Sequence, residues 1–153
     1  MRTFKDKEKK DWGVSITVGS LKRVKELLKI DLIEGASDKK EDNIFIKIST
    51  DPIMLVDIIY VLCKPEADKL GISDEQFGGL MNGDSVEEAT AVFIEELIDF
   101  FPTARRPMLR TMTDKIKDLQ TKGIAYVMNH LASPEIDKKY QETLEKKLAE
   151  KDI

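Results

Sequence analysis

The segment Pro52–Cys63 constrains the fold more than any other part of the chain. Within it only Asp57 is strongly polar, so a helix here is apolar on nearly all sides and belongs at the centre of a core. Asp51 can cap this helix, and Pro52 fits its first position, where the missing N–H is not needed. The sequence Lys64-Pro65-Glu66-Ala67-Asp68 that follows predicts a short connector.

Asp57 is the exception within this apolar segment. A carboxylate there must meet solvent, a cation or backbone donors, because a buried and unpaired charge is costly or raises its own pKa. We expect Asp57 at the edge of the helix or paired with a Lys or Arg. A functional acid is the alternative.

Two further helices are predicted after the connector. Ser73-Asp74-Glu75-Gln76 fits a capping box, and Ile72 with Phe77 fits the hydrophobic staple across it. Gly78-Gly79 weakens this helix and permits close packing, and Asn82-Gly83 is expected to end it with a left-handed cap.

The second of these helices begins at Asp84-Ser85-Val86-Glu87-Glu88, which repeats the start signal. Its inward stripe continues to Phe101-Pro102 and consists of Val86, Ala89, Phe93, Leu97 and Phe100.

The amino-terminal residues predict a β-hairpin. Arg2–Lys7 and Asp11–Val18 flank a polar turn, and the second run alternates, with its apolar side formed by Trp12, Val14, Ile16 and Val18. A lone hairpin is marginal in water, so this one should pack on helices or join another copy. Ser20 is a plausible N-cap for the next helix, which is expected to end near Ile30.

Residues 35–43 are polar and lack periodicity, which predicts a mobile surface loop. Ile44, Phe45, Ile46 and Ile48 follow, and their spacing permits a strand or a helical turn. We favour the helix.

The carboxy-terminal part predicts two helices. The first has one stripe on either side of an expected irregularity at Lys122-Gly123, and the stripe consists of Leu109, Met112, Ile116, Leu119, Ile124, Val127 and Leu131. Ser133-Pro134-Glu135 starts the second helix, whose narrow stripe is Ile136, Tyr140, Leu144 and Leu148. This helix either packs on its own domain or forms an arm that grasps a neighbour.

The predicted fold class is therefore α+β, mainly α, with an amino-terminal hairpin packed on about five to six helices. We expect a core domain over residues 1–132 and a charged helix or arm over 133–153. A chain of 153 residues is long enough for one core and too short for two ordinary domains.

Composition bounds the function. Charged residues make up 35% of the chain and the net charge is −4, which predicts a well-solvated cytoplasmic protein, and we expect no signal peptide or membrane span. Cys63 is the only cysteine and His130 the only histidine. A disulfide within the chain is excluded, zinc and triad chemistry are disfavoured, and Cys63 is expected to be buried.

The acidic pairs Glu87-Glu88 and Glu95-Glu96 raise the question of a carboxylate metal site. Di-iron bundles also use Glu-x-x-His pairs, and this sequence has none. A solvated helix face explains these pairs better, and we predict no metal and no cofactor.

Charge is segregated along the chain. Residues 50–101 carry twelve acidic and two basic side chains, whereas residues 1–29 and 102–131 are net basic. Such a pattern suits head-to-tail contacts between copies or docking of a charged partner, and it is equally compatible with neutralisation inside the fold. Nucleic-acid binding by Arg105, Arg106 and Arg110 is disfavoured, because no aromatic residue is interleaved among them.

Several segments together resemble a known family: Thr3–Asp6 with Asp11-Trp12, Ile16-Thr17-Val18 with Leu21–Lys25, Asp51–Asp57 with Leu62–Asp68, Gly71–Phe77, and Glu95–Pro102. Over about Thr3 to Arg110 the chain resembles small tail-region proteins of long-tailed bacteriophages and prophages. These resemble tail assembly chaperones, which implies binding of the tape-measure protein or of tail tube subunits during tail morphogenesis. The resemblance does not cover the last helix and transfers no catalytic motif.

The resulting hypothesis is a non-enzymatic assembly protein of the bacterial host cytoplasm. Its alternatives are a structural subunit that remains in the virion and a host-encoded protein-interaction module, and a homo-oligomer fits each of them. The candidate partner-binding residues are Trp12, Asp57, Glu87, Glu88, Glu95, Glu96, Arg105, Arg106, Arg110, Tyr140, Leu144 and Leu148.

Overall fold

We describe the protein from a computed structural model that covers residues 1–36, 43–131 and 134–151. These residues form a two-stranded hairpin and eight α-helices, which confirms the predicted fold class. In chain order the elements are β1 Arg2–Lys5, β2 Asp11–Val14, α1 Val18–Leu28, α2 Leu32–Gly35, α3 Ile44–Thr50, α4 Pro52–Leu70, α5 Asp74–Gly79, α6 Gly83–Phe100, α7 Arg106–Leu131 and α8 Pro134–Lys151. A 3₁₀ turn, Thr103–Arg105, precedes α7.

The chain divides into two compact units, Met1–Thr113 and Asp114–Ile153. This division falls within α7. The boundary predicted after residue 132 stays a prediction.

The hairpin packs on helices, as expected. Its strands are antiparallel, with Phe4 opposite Trp12, and β1 lies against α6 while β2 lies against α4. The predicted alternation is confirmed for Trp12, Val14 and Ile16, which are buried. Val18 instead begins α1 and is exposed.

The predicted N-cap of α1 at Ser20 is wrong. Thr17 has an extended backbone and caps the helix, because its hydroxyl accepts a hydrogen bond from Ser20 N at 3.1 Å. Ser20 Oγ accepts one from Thr17 N at 2.8 Å. The two residues thus form a reciprocal capping box, and α1 ends at Leu28, close to the predicted end.

The central helix α4 begins as predicted. The Asp51 carboxylate accepts a hydrogen bond from Met54 N at 3.0 Å, and Pro52 occupies the first turn. Leu55, Ile58 and Ile59 are fully buried, so α4 is the core helix of the Met1–Thr113 unit.

The connector predicted after Cys63 is wrong, because α4 continues through Pro65 to Leu70. A proline inside a helix has no N–H for the carbonyl four residues earlier, which here belongs to Val61. Arg23 Nη1 of α1 donates a hydrogen bond to that carbonyl at 3.0 Å. A side chain from another helix therefore replaces the bond that Pro65 cannot make.

Helix α5 begins with the predicted capping box. Ser73 Oγ accepts from Gln76 N at 3.2 Å, and the Gln76 side chain accepts from Ser73 N at 2.9 Å. The prediction that Gly78-Gly79 permits close packing is wrong, since a Cβ at either glycine would meet no atom within 4 Å.

Asn82-Gly83 does not end α5, contrary to the prediction. Asn82 is extended and caps α6, where its side-chain oxygen accepts from Ser85 N at 2.9 Å. The inward stripe of α6 is confirmed at its centre, because Ala89, Phe93 and Leu97 are fully buried.

The segment from Ile44 is helical, as favoured from its sequence, and Asn43 caps it through the backbone N–H groups of Phe45 and Ile46. Most of the predicted loop at 35–43 falls on residues 37–42, which lie outside the described part of the chain. Gly35 belongs to α2.

The irregularity expected at Lys122-Gly123 is absent from α7, which is helical throughout Arg106–Leu131. In α7, Leu109 is buried and Met112 and Ile116 are half-buried. The predicted cap at Ser133 and the side chains of His130, Leu131 and Ile136 lie outside the described residues.

Candidate functional site

Exposed apolar side chains are concentrated in the two carboxy-terminal helices. In α7, Ile124, Val127 and Met128 have three- and four-residue spacings, so they share a face, and each is more than half exposed. We use the term C-terminal apolar residues for the set Leu119, Ile124, Val127, Met128, Tyr140, Leu144 and Leu148, all of which are exposed.

The predicted site residues of α8 belong to this set. Tyr140, Leu144 and Leu148 follow one another at steps of four and form one narrow stripe. Exposed clusters of large apolar side chains are typical of interaction surfaces. The structure therefore leaves these three side chains accessible to a partner.

The predicted acidic and basic residues near the end of α6 are largely paired with each other. Arg2 Nη1 lies 3.2 Å from Glu96 Oε1 and 2.8 Å from Asp99 Oδ2, and Arg110 lies 3.0 Å from Glu95 Oε2. The hydrogen bond from Arg2 is the main reason that the pKa of Asp99 is lowered. At these positions the segregated charge is neutralised inside the fold.

Two arginines predicted to bind a partner have local roles instead. Arg106 donates to the carbonyls of Phe101 and Asp99 at 3.0 and 2.9 Å, so it satisfies carbonyls at the end of α6. The guanidinium of Arg105 lies 5.1 Å from the ring centroid of Phe101. With Arg110 paired to Glu95, the three arginines do not form a free basic patch.

Glu87 and Glu88 are exposed on α6. Glu88 accepts a hydrogen bond from the backbone N–H of Lys5 at 3.3 Å and so connects α6 to the hairpin. In the part of the chain that the structure describes, no group of three or more His, Cys, Asp or Glu could hold a metal ion.

Trp12 lies inside the fold, with 0% of its surface exposed. Its Nε1 donates to Asp6 Oδ2 at 3.0 Å, and its ring meets Phe77 edge-on with centroids 5.0 Å apart. A side chain without exposed surface cannot contact a partner in this fold. Trp12 is therefore a core residue and not part of a candidate binding surface.

Asp57 lies half-buried beside a groove of about 370 Å³. Burial is the largest cause that raises the pKa of Asp57, and the charges of Asp74 and Asp51 raise it further. Among the described residues no Lys or Arg forms an ion pair with it, so the predicted pairing is not found. We call this cavity the Asp57 groove, and its other walls include Ile53, Val56, Asp74, Met81 and Val86.

Cys63 is buried, as expected from its apolar helix. Burial raises the pKa of its thiol to about 12, with a further contribution from Glu66. A thiol of this kind is protonated at neutral pH and is a poor nucleophile.

Comparison with protein-family models, curated proteins and solved structures finds no match to this chain.

The groove and the exposure of the apolar face of α7 are the features that sequence reasoning missed. Asp57 stood out as a polar residue in an apolar helix, but Asp74, Met81 and Val86 reach it from outside α4, and no local pattern connects them. The apolar periodicity of α7 was recognised, whereas the exposure of Ile124 and Val127 depends on which residues pack against them. No helix among the described residues is long and apolar enough to cross a bilayer.

Proposed function

We propose that this chain is a non-enzymatic assembly protein of the phage tail chaperone kind. It binds a long helical partner, the tape-measure protein, through the C-terminal apolar residues and keeps that partner soluble until tail subunits polymerise around it. This activity belongs to the cytoplasm of the bacterial host.

The observation that carries the proposal is the exposure of apolar side chains along α7 and α8. Tyr140 is 65% exposed and Leu148 is 62% exposed, although both lie in the stripe that would face a core if α8 were packed. Helices of this length are held mainly by packing of an apolar face. A partner that covers these side chains would stabilise both itself and the helices.

A helical partner fits this surface best. Apolar residues at three- and four-residue spacing bind the matching face of another amphipathic helix, as in grooves and coiled coils. A tape-measure protein is long and helical, and it would expose such faces until the tail tube encloses it. The resemblance over Thr3 to Arg110 supports this choice of partner.

The Met1–Thr113 unit supports the proposal in a different way. Its large apolar side chains Trp12, Phe77 and Phe93 are fully buried, and the charges around Arg2 and Arg110 are paired. This unit therefore has a core of its own that does not depend on the C-terminal apolar residues. A partner can be captured by α7 and α8 without unfolding it.

Co-expression of the tagged full chain with the tape-measure protein of the same phage tests the proposal. We expect the partner to move into the soluble fraction and to copurify with the chain. The double variant Leu144→Asp, Leu148→Asp should lose this capture, because two charges on the stripe would have to be desolvated. Lys146→Asp, which changes the net charge by the same amount at an exposed position on the opposite side of α8, is the matched control and should retain it.

Two outcomes would contradict the proposal. One is equal capture by the wild type and by the double variant. The other is recovery of the chain from purified mature particles at stoichiometric levels, which would identify a structural virion subunit. A reading frame of tape-measure size directly downstream of the gene would support the chaperone.

A further inference from the structure

The Asp57 groove has no part in the proposed function and lies wholly within the Met1–Thr113 unit. Pro52 and Ile53 come from the first turn of α4, Asp74 from the first turn of α5, and Val86 from the beginning of α6. Its volume of about 370 Å³ falls in the range of protein ligand sites, about 300–1,000 Å³. The groove is thus large enough to hold several side chains of a binding partner.

Asp57 differs from Asp51 and Asp74, the two carboxylates whose charges act on it. Asp51 precedes α4 and Asp74 begins α5, and a helix N-terminus stabilises a negative charge. Asp57 lies in the second turn of α4, beyond the range of this effect. Its carboxylate faces the charges of Asp74 and Asp51 and has no cationic partner among the described residues.

The two basic residues between positions 50 and 101 do not form an ion pair with Asp57. Lys64 lies 3.0 Å from Asp68 Oδ1, and Lys69 is the only other basic residue between 50 and 101. At the other end of this acidic segment, by contrast, Glu96 and Asp99 are paired with Arg2. The acidic side chains near the hairpin thus have a basic partner, whereas Asp57 at the groove has none among the described residues.

The walls of the groove are apolar and accessible. Ile53 is 74% exposed, although a large aliphatic side chain gains free energy from burial. Val56, Met81 and Val86 are half-buried. An open groove with an exposed isoleucine fits the face of a protein segment better than a small molecule enclosed on all sides.

From the apolar walls and the unpaired carboxylate together, we infer that the Asp57 groove binds an amphipathic helix of a partner protein, with one lysine or arginine of that helix placed against Asp57 and Asp74. The aliphatic stem of a basic side chain covers apolar surface while its charged end reaches a carboxylate. One cation between two like charges also relieves their repulsion. Apolar residues one turn away on the same helix cover Ile53 and Met81.

Two synthetic helical peptides provide the test. Both carry leucines one turn on either side of a central residue, which is lysine in one peptide and glutamate in the other. We expect the lysine peptide to bind the full chain at least tenfold more tightly by calorimetry. In NMR spectra of the ¹⁵N-labelled protein, the chemical-shift changes caused by the lysine peptide should cluster at Ile53, Val56, Asp57, Met81 and Val86.

Substitutions at two adjacent glycines test whether the peptide binds in the groove or elsewhere on α5. Gly78 lines the groove and Gly79 does not, and a Cβ at either position would meet no atom within 4 Å. Gly78→Leu should fill the groove and abolish binding, whereas Gly79→Leu should leave it unchanged. Asp57→Asn should weaken binding of the lysine peptide at least fivefold. It should not weaken binding of the glutamate peptide.

The inference is overturned if the two peptides bind equally or if the shifts map to α7 and α8. It is also overturned if Gly78→Leu binds the lysine peptide as the wild type does. None of these measurements uses the tape-measure protein, so they can fail while the proposed function stands, and the reverse also holds.

Discussion

Arg23 donates a hydrogen bond from Nη1 to the carbonyl oxygen of Val61 at 3.0 Å. That carbonyl lacks its helical partner because Pro65 has no N–H. The bond connects α1 to α4 and lets the core helix run through the proline to Leu70. The sequence predicts a connector after Cys63, but a side chain from another helix completes α4 there.

A double-mutant cycle measures this relationship. Arg23→Ala should lower the free energy of unfolding by about 1.5–3 kcal/mol, the usual effect of a lost hydrogen bond to a charged group. In a Pro65→Ala background, the backbone N–H of residue 65 can donate to the Val61 carbonyl. Arg23→Ala should therefore lower the free energy of unfolding clearly less in that background. Urea unfolding, monitored by circular dichroism, gives the change in the free energy of unfolding in each background. Equal costs in the two backgrounds would show that Arg23 does not compensate for the proline.

Asp6 organises the hairpin. Its carboxylate is buried and accepts hydrogen bonds from Glu8 N at 2.8 Å, Lys10 N at 3.0 Å and Trp12 Nε1 at 3.0 Å. Asp6→Ala leaves the indole N–H buried without an acceptor, so we expect a loss of about 3 kcal/mol in the free energy of unfolding. Trp12 fluorescence during urea unfolding measures this loss of stability.

The control for Asp6 is Asp11→Ala. The Asp11 carboxylate forms an exposed ion pair with Lys5 at 2.8 Å, and such pairs contribute less than about 1 kcal/mol. A loss at Asp6 no larger than the loss at Asp11 would contradict the role assigned to the buried carboxylate.

Signals confined to a few neighbouring residues predicted the fold well. The Asp51-Pro52 start of α4 and the Ser73–Gln76 capping box need only adjacent residues, and both are confirmed. The effect of Pro65 does not follow from its neighbours, because the compensation comes from Arg23, which lies 38 residues before Val61 in the sequence. Asn82-Gly83 was misinterpreted because the same pair of residue types suits the end of one helix and the start of the next.

Prediction of the candidate surfaces was less complete for the same reason. The stripe of Tyr140, Leu144 and Leu148 follows from spacing alone, but its exposure follows from tertiary packing. The sequence makes Trp12 a candidate for partner contact, because the apolar side of a lone hairpin must pack on helices or on another copy. Its burial depends on Phe77 and on Asp6, and only the folded chain brings these residues together.

Asp57 and Asp99 should affect stability in opposite directions. The pKa of Asp57 is raised, chiefly by burial, so its ionised form opposes folding at neutral pH. The pKa of Asp99 is lowered, chiefly by the hydrogen bond from Arg2, so its ionised form favours folding. Asp57→Asn should therefore stabilise the protein at pH 7, and Asp99→Asn should destabilise it.

The pH dependence follows from the same signs. The destabilisation by Asp57 is full above its folded pKa and vanishes below the unfolded value of about 3.9. The stabilisation by Asp99 is full above that unfolded value and is lost as pH falls through its lowered folded pKa. Both differences from wild type should thus shrink in acid, which chemical unfolding between neutral pH and pH 2 can measure. If the stability differences between these variants and the wild type do not depend on pH, they arise from changes in packing and not from the charges of Asp57 and Asp99.

The thiol of Cys63 should react only after unfolding. Its pKa of about 12 leaves almost no thiolate at pH 8, and the side chain is buried. Labelling with a disulfide reagent should be negligible for the native protein and complete in concentrated guanidinium chloride. Because this is the only cysteine, the signal needs no assignment. Native labelling at the rate of a free thiol would contradict the burial of Cys63.

Stability should also fall in alkali because of this group. The unfolded thiol ionises near pH 8.5, whereas the folded thiol retains its proton up to about pH 12. The unfolded state therefore gains free energy from ionisation as pH rises above about 8.5. Cys63→Ala should remove this part of the pH dependence.

Two glycines should respond oppositely to alanine because their backbones differ. Gly71 ends α4 in the left-handed region with φ of 67°, where a Cβ is strained, so Gly71→Ala should destabilise the protein by about 1 kcal/mol. Gly123 lies inside α7, and a Cβ there would meet no atom within 4 Å. Gly123→Ala should therefore stabilise α7 by about 0.5–1 kcal/mol, and thermal unfolding followed at 222 nm should show the two effects. A loss of stability in Gly123→Ala would contradict the regular helix that the structure shows at this position.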